Sequence, residues 1–226
     1  MCRWKNNCTE LDLDSRKWDI YCPLRPPIWI DSQVDIFCDA LENFIQGDKE
    51  ACLKKLSKIR NSEMQAWFIE HGQMSWKHRK NILQLAPPMA VDISLRDTLR
   101  EPKKYQEEVF LRDWYRCRYC GNRLISQKLI RNFVKQLDSP FFHRGETNLG
   151  THGIVHMTWP VADHVIPWNL GGRTHPSNLV SACAACNYGK DRFTLEQLWL
   201  ENPFNRPPIT SGWDGMNSKI SELQKS

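Results

Sequence analysis

The chain lacks any run of the roughly 18 apolar residues that a bilayer-spanning helix requires, so no membrane span is expected. Its first residues, Met1-Cys2-Arg3-Trp4-Lys5-Asn6-Asn7, hold no apolar stretch of the kind found in a secretory leader. A cytoplasmic protein is the expectation. Internal repeats and long low-complexity tracts are missing too, which argues against a solenoid. An even cysteine count is absent as well. Nine cysteines in 226 residues do not form the paired framework of a small secreted domain. In a reducing compartment, closely spaced cysteines read as metal ligands. A strong charge of one sign is also lacking, since the formal net charge is only +5.

What is present suits one large domain or two small ones. Hydrophobic residues make up 41% and there are ten tryptophans, enough for an ordered core. The positive charge is concentrated. Residues 101–192 hold 13 Lys/Arg against 8 Asp/Glu, whereas the stretches before and after come close to balance. Such a segment suits a polyanion such as nucleic acid; a solvated basic face is the alternative.

Hydrophobic periodicity divides the chain. The first 30 residues read as irregular. Asp31 is a candidate N-cap for a helix carrying Val34, Phe37, Cys38, Leu41, Phe44 and Ile45, with Gly47 past its end. A second helix carries Ala51, Cys52, Leu53, Leu56 and Ile59. Ser62-Glu63-Met64-Gln65 fits a capping box for a third that ends at Gly72. Ser75 is placed to cap a fourth through Leu85, before Pro87-Pro88. These helices read as an N-terminal module within 1–100, either a helix-turn-helix reader or plain helical hairpins. Pro102 reads as the start of a helix to Trp114, Ile125–Leu137 as another helix, Ile154–Val165 as a strand or hairpin, and Asn178–Ser181 as a short strand. A helix is expected from Cys183 to about Glu201. The division is 1–100, 101–202 with an insert at 122–155, and a tail at 203–226.

Two pairs carry the strongest chemical signal, Cys117-Arg-Tyr-Cys120 and Cys183-Ala-Ala-Cys186. Four thiolates satisfy tetrahedral zinc and leave no open position, so this is a structural site. Zinc would supply much of the folding energy of a small unit with little core of its own. Between the pairs lies Asp163-His164-Val165-Ile166-Pro167, and Asn187 follows the last cysteine. Neighbouring strand residues point to opposite faces, so both side chains of the Asp-His pair reach one cleft only if the strand bends or a metal draws them in. A carboxylate with an amide oxygen makes a hard, sparsely liganded site suited to Mg²⁺ or Mn²⁺. An imidazole beside it can take a proton from water at neutral pH.

Together, Cys117-x-x-Cys120, Asp163-His164-Val165-Ile166-Pro167, Gly171-Gly172, Asn178-Leu179 and Cys183-x-x-Cys186-Asn187-x-x-Lys190 resemble the HNH endonucleases. The resemblance spans about residues 105–200. It implies an α+β chain in which a helical N-terminal module precedes a zinc-stabilised ββα-metal nuclease domain. It also implies that Asp163 and Asn187 bind the catalytic ion, that His164 is the base, and that Asn178 steadies the loop positioning it. The last motif residue here is Asn187 rather than His, a variant found in active members. The 42 residues between Cys120 and Asp163 exceed the compact pattern, so the insert is a candidate DNA-reading or partner-binding element.

The implied activity is hydrolysis of DNA phosphodiester bonds, as a nick or as a double-strand cut by a homodimer or successive events. Bacterial defence against phage or foreign DNA, beside a regulatory partner such as an ATPase, and a phage or mobile-element nuclease are both compatible roles. A zinc-stabilised nucleic-acid-binding module without catalysis is the reading from another class. Arg173, Lys190 and Arg192 are candidate phosphate contacts. His175 is expected to be exposed and His156 to pack. Trp168 is read as packing under the loop or stacking on a base. Cys38 and Cys52 fall on apolar helix faces as core thiols. Cys2, Cys8 and Cys22 could form a second metal site with Cys38, His71 or His78, though their spacing matches no zinc motif.

Overall fold

The computed structural model describes residues 8–83, 94 and 102–225. Pro87-Pro88, Leu85 and Cys2 lie outside these. The N-terminal stretch is irregular apart from a short turn at Ser15–Lys17. Helices α1 (Ile30–Ile45), α2 (Lys49–Leu56), α3 (Asn61–Trp67) and α4 (Ser75–Leu83) follow, with a wider turn at Phe68–Gly72 extending α3. After them come α5 (Gln106–Arg112), α6 (Gln127–Leu137) and α7 (Gly153–Thr158). Strand β1 (Pro160–His164), strand β2 (Leu179–Cys183) and helix α8 (Ala184–Lys190) form a ββα unit, and α9 (Ile220–Leu223) lies near the C-terminus. The chain is therefore α+β, with one two-stranded antiparallel sheet among the described residues. Its register sets Asp163 opposite Val180 and His164 opposite Leu179.

Several expected boundaries move. Helix α1 begins at Ile30, and Asp31 lies inside its first turn, where its carboxylate accepts from Arg123 at 2.8 Å. The capping box at Ser62 does not form. Helix α3 starts at Asn61, whose Oδ1 accepts from the Gly153 N–H at 2.6 Å, and the Gln65 amide donates to the carbonyls of Thr151 and Leu149. The helix expected from Pro102 is a turn as far as Tyr105, and it ends at Arg112 ahead of left-handed Trp114 and Tyr115.

Residues 154–165 are not one strand. His152 Nδ1 caps the Ile154 N–H, the Thr158 hydroxyl donates to the Ile154 carbonyl, and a short helix forms before β1. Helix α7 is buried on nearly every side, so its Ile-Val pair gives no helical stripe for sequence reading to find. Helix α8 stops at Lys190 rather than near Glu201, because Asp191 adopts φ 48° and the chain continues in turns.

The N-terminal helices and the ββα unit share one buried cluster that runs from Cys8 to Leu223. Helix α6, from the insert, turns Leu129, Ile130, Phe133 and Leu137 inward. Phe133 meets Phe37, Phe44 and Phe142 with ring centroids 5.2–5.6 Å apart. The pairs with Phe37 and Phe44 are edge-to-face, a geometry that adds about 0.5–1.5 kcal/mol per pair beyond burial. The apolar face of the insert helix is thus buried against α1, α9 and Phe142.

Candidate active site and zinc centre

The two cysteine pairs meet. The Sγ atoms of Cys117, Cys120, Cys183 and Cys186 all lie within 4.8 Å of one another, and Cys120 and Cys183 are 3.8 Å apart. A tetrahedron with Zn–S bonds of about 2.3 Å has edges of about 3.8 Å, so the cluster has the size of a zinc site. Local backbone makes it. Gly121, at φ 81°, donates its N–H to the Cys117 carbonyl and closes the first knuckle. Arg118 N–H donates to the Ser181 carbonyl and ties that knuckle to β2. The Cys183 sulfur caps α8 by accepting from the Cys186 N–H.

A fifth sulfur comes from the irregular N-terminal stretch. Cys22 is fully buried with its Sγ 3.5 Å from that of Cys186. Arg79 of α4 is buried close by, bonded to the Pro23 carbonyl and stacked over Trp18 at 4.3 Å. Burial pushes the Arg79 guanidinium down to about 10, while the nearby sulfurs of Cys22 and Cys186 act in the opposite direction. Four thiolates on one Zn²⁺ would leave a net negative charge, which the buried Arg79 guanidinium would offset. Among the described residues, the remaining candidates for a second metal form no group of three or more with Cys22. Cys8 lies instead against His71, Sγ to Nδ1 3.1 Å, and the four-cysteine cluster is the one metal-sized group of three or more such ligands among the described residues. Cys38 is half-buried against Met216 and Cys52 is fully buried.

Beside the zinc centre, Asp163, His164, Asn187, Lys190, Asp191 and Arg192 line one cleft of about 370 Å³, with Trp168 on its wall. Asp163 is buried. Its carboxylate accepts from the Tyr119 hydroxyl at 2.7 Å and pairs with the Lys190 ammonium at 3.3 Å. Burial raises the Asp163 carboxyl above its ordinary range, against the opposing pull of Lys190 and Tyr119. Burial, then the Asp163 charge, raises the Tyr119 phenol well above its own. His164 is half-buried, with Nε2 3.0 Å from the Thr174 hydroxyl, which fixes the ring.

The loop between β1 and β2 is staked from inside by Asn178. Its Oδ1 accepts from the Ile166 N–H at 2.9 Å, and its Nδ2 donates to the carbonyls of Ile166 and Arg173 at 3.0 Å each. Gly171 takes φ 97°, and a Cβ on Gly172 would collide with the Ile166 carbonyl, so both positions suit glycine. Behind β2, buried Asp113 accepts from the Ser181 N–H, while Arg112 holds Asp113 and donates to the carbonyls of Pro176 and Leu179.

This ββα cleft beside four clustered cysteines is what the comparison with known families bears on. Residues 160–201 match the HNH endonuclease family. No curated protein and no solved structure matches the chain. The HNH segment contains Asp163, His164, Asn178, Cys183, Cys186 and Asn187, whereas Cys117 and Cys120 reach the zinc centre from outside it. A match of this kind suggests nuclease activity on nucleic acid.

Within the HNH segment the phosphate-contact candidates separate. Lys190 is fully buried, its ammonium held by Asp163 and by the His164 carbonyl at 2.8 Å, so it braces the site instead of meeting solvent. Arg192 is exposed at the cleft, 3.8 Å from Asp191. Arg173 and His175 are exposed on the loop, and neither is among the residues lining the cleft. His156 packs, stacked on Phe68 with centroids 4.4 Å apart. Sequence reading missed two members. Asp191 adds a second carboxylate to the cleft, and its N–H donates to the Asn187 carbonyl one turn back. An acidic residue four places after Asn187 was the available signal. Tyr119, hidden inside the first CxxC, had none.

Asp163, Asp191 and Asn187 line one cleft, and carboxylate and amide oxygens are the donor types that a hard divalent ion takes. Asp163 would share its charge with Lys190. No helix among the described residues is long and apolar enough to cross a membrane.

Proposed function

We propose that the protein is a metal-dependent endonuclease hydrolysing DNA phosphodiester bonds. The observation that carries this is the convergence of Asp163, His164 and Asn187 on one cleft, with Asn178 fastening the loop next to His164. Asp163 and Asn187 would hold Mg²⁺ or Mn²⁺, which when bound supplies positive charge to the phosphate as negative charge builds in the transition state. His164, oriented by Thr174, takes the proton from a water as its oxygen forms the new bond to phosphorus. The phosphodiester P–O bond opposite breaks, and the leaving oxygen is protonated from solvent. Lys190 keeps the β1 end and the Asp163 carboxylate in register. Structural Zn²⁺ at Cys117, Cys120, Cys183 and Cys186 fixes α8, and with it Asn187, against β1.

A cytoplasmic role in defence against phage or foreign DNA, with a regulatory ATPase-type partner or a second copy to cut both strands, fits this activity. A silent binding module is the second reading, favoured by one observation: Asp163 is already tied to Lys190 and Tyr119. Plasmid nicking separates the two. Purified protein carrying about one zinc per chain should nick supercoiled DNA with Mg²⁺ or Mn²⁺. His164→Ala should bind DNA equally and leave it intact. Wild-type protein that binds but never cuts, across both metals and a range of salt, decides for the binding module.

A further inference from the structure

The metal cleft does not end at Asn187. A second cleft, of about 410 Å³, shares Val161, Asn187 and Tyr188 with the first and continues past Phe68 and His156 to Trp159, Asn148 and Arg144. The two form one groove, with the exposed Tyr188 ring on the ridge between them. The far arm belongs to the insert and the N-terminal helices, outside the segment that matches the nuclease family.

Two guanidiniums converge on the Trp159 indole in this arm. Arg144 lies 4.4 Å from its centroid and Arg131 5.3 Å. Arg131 is held further by Gln127, whose own amide donates to the Pro160 carbonyl at the start of β1. Stacking on an indole fixes the plane of a guanidinium and leaves its N–H edge for another partner. Arg131 also continues a row. Lys128, Arg131 and Lys135 are spaced three and four apart on the exposed side of α6, a helix with no acidic residue. Glu146 is the carboxylate that lines the same arm.

We infer that this arm is a clamp for the flank of the nucleic-acid substrate. The strand would leave the metal cleft, pass Tyr188 and lay its phosphates on Arg144, Arg131 and the basic row of α6. The inference rests on the nucleic-acid-cutting reading above and extends it to where the substrate lies. It also gives the insert a task. Its apolar face is buried against α1, α9 and Phe142, so its polar face is what it offers to a ligand.

The test is duplex DNA binding by full-length His164→Ala protein, alone and with Arg131→Ala and Arg144→Ala, across a salt series. Each phosphate contact adds about 0.9 to the slope of log K against log salt. Loss of two contacts should lower that slope by about 1.8 and weaken binding about 30-fold at 0.15 M salt. Arg131→Lys with Arg144→Lys keeps the charge without the planar stack and should restore most of the slope, which separates lost contact from lost fold. An unchanged slope in the alanine variant, with native circular dichroism, overturns the clamp. So does a lysine variant as weak as the alanine one. If wild-type protein never cuts DNA yet the slope falls as stated, the clamp stands and the nuclease reading falls. If wild-type protein cuts and the slope is unmoved, the reverse holds.

Discussion

Asn178→Asp changes one atom, an amide nitrogen for an oxygen, inside a buried hydrogen-bond set. The native side chain accepts once, from the Ile166 N–H, and donates twice, to the carbonyls of Ile166 and Arg173. Aspartate keeps the first bond and turns both donors into an acceptor that faces two carbonyls 3.0 Å away. Each lost bond costs about 1 kcal/mol net, and a buried carbonyl left unpaired about 1–3 kcal/mol. The sum for a side chain this buried is about 3 kcal/mol. For a chain of this size that is a fall of about 6–12 °C in melting temperature. The functional effect is separate. Ile166 lies two residues beyond His164, and Thr174, which holds the His164 ring, sits in the loop that Asn178 closes. Loosening it should displace the imidazole by a fraction of an ångström or more, and misplacement near 1 Å costs about 100-fold in rate. Nicking measured well below the melting temperature should fall by one to two orders of magnitude, with DNA affinity retained because Asn178 is not among the residues lining the cleft. Thermal melts and time-resolved plasmid nicking read the two effects. A variant that melts within about 1 °C of wild type and nicks at the same rate refutes the account of the loop.

Two further outcomes follow from buried charge. Lys190→Met leaves the Asp163 carboxylate buried without its cation, and breaking such a pair from one side costs about 3–5 kcal/mol, readable as a lower urea midpoint at unchanged slope. A midpoint within error of wild type would mean that Asp163 finds solvent or another partner. His152 is buried as the cap of α7, and burial pushes its imidazole down to about 4. Because the folded value lies below the unfolded one of about 6.5, its stabilising contribution is full above that pH and is lost as the pH falls towards 4. Between pH 7.5 and 5 the loss should be about 2 kcal/mol. His152→Asn should remove this part of the acid sensitivity of unfolding, and an unaltered pH dependence would place the titrating group elsewhere.

The four-cysteine cluster and the match to the HNH family were legible in the sequence because both are written in residue types at short spacings. Two CxxC pairs, an Asp-His pair and an Asn beside the last cysteine needed no knowledge of the path between them. Helices with one apolar face, α1, α2 and α6, were legible for the same reason: a periodic stripe is a local property. Elements buried all round or ended by tertiary contacts were not. Helix α7 carries no stripe, and α8 stops where Asp191 turns left-handed.

The sequence by itself determined which side chains could act as ligands, four thiolates of zinc type and a carboxylate, an imidazole and an amide of harder type, because ligand chemistry belongs to the side chain. Tertiary structure alone decided which charges meet solvent and which are consumed inside. It buried Lys190 against Asp163, set Cys22 beside Cys186, and stacked Arg131 and Arg144 on Trp159. A lysine three residues after Asn187 reads the same on paper whether it faces a phosphate or a buried carboxylate. Only the packing of β1, α8 and the first knuckle, which buries Asp163 beside Lys190, selects between them.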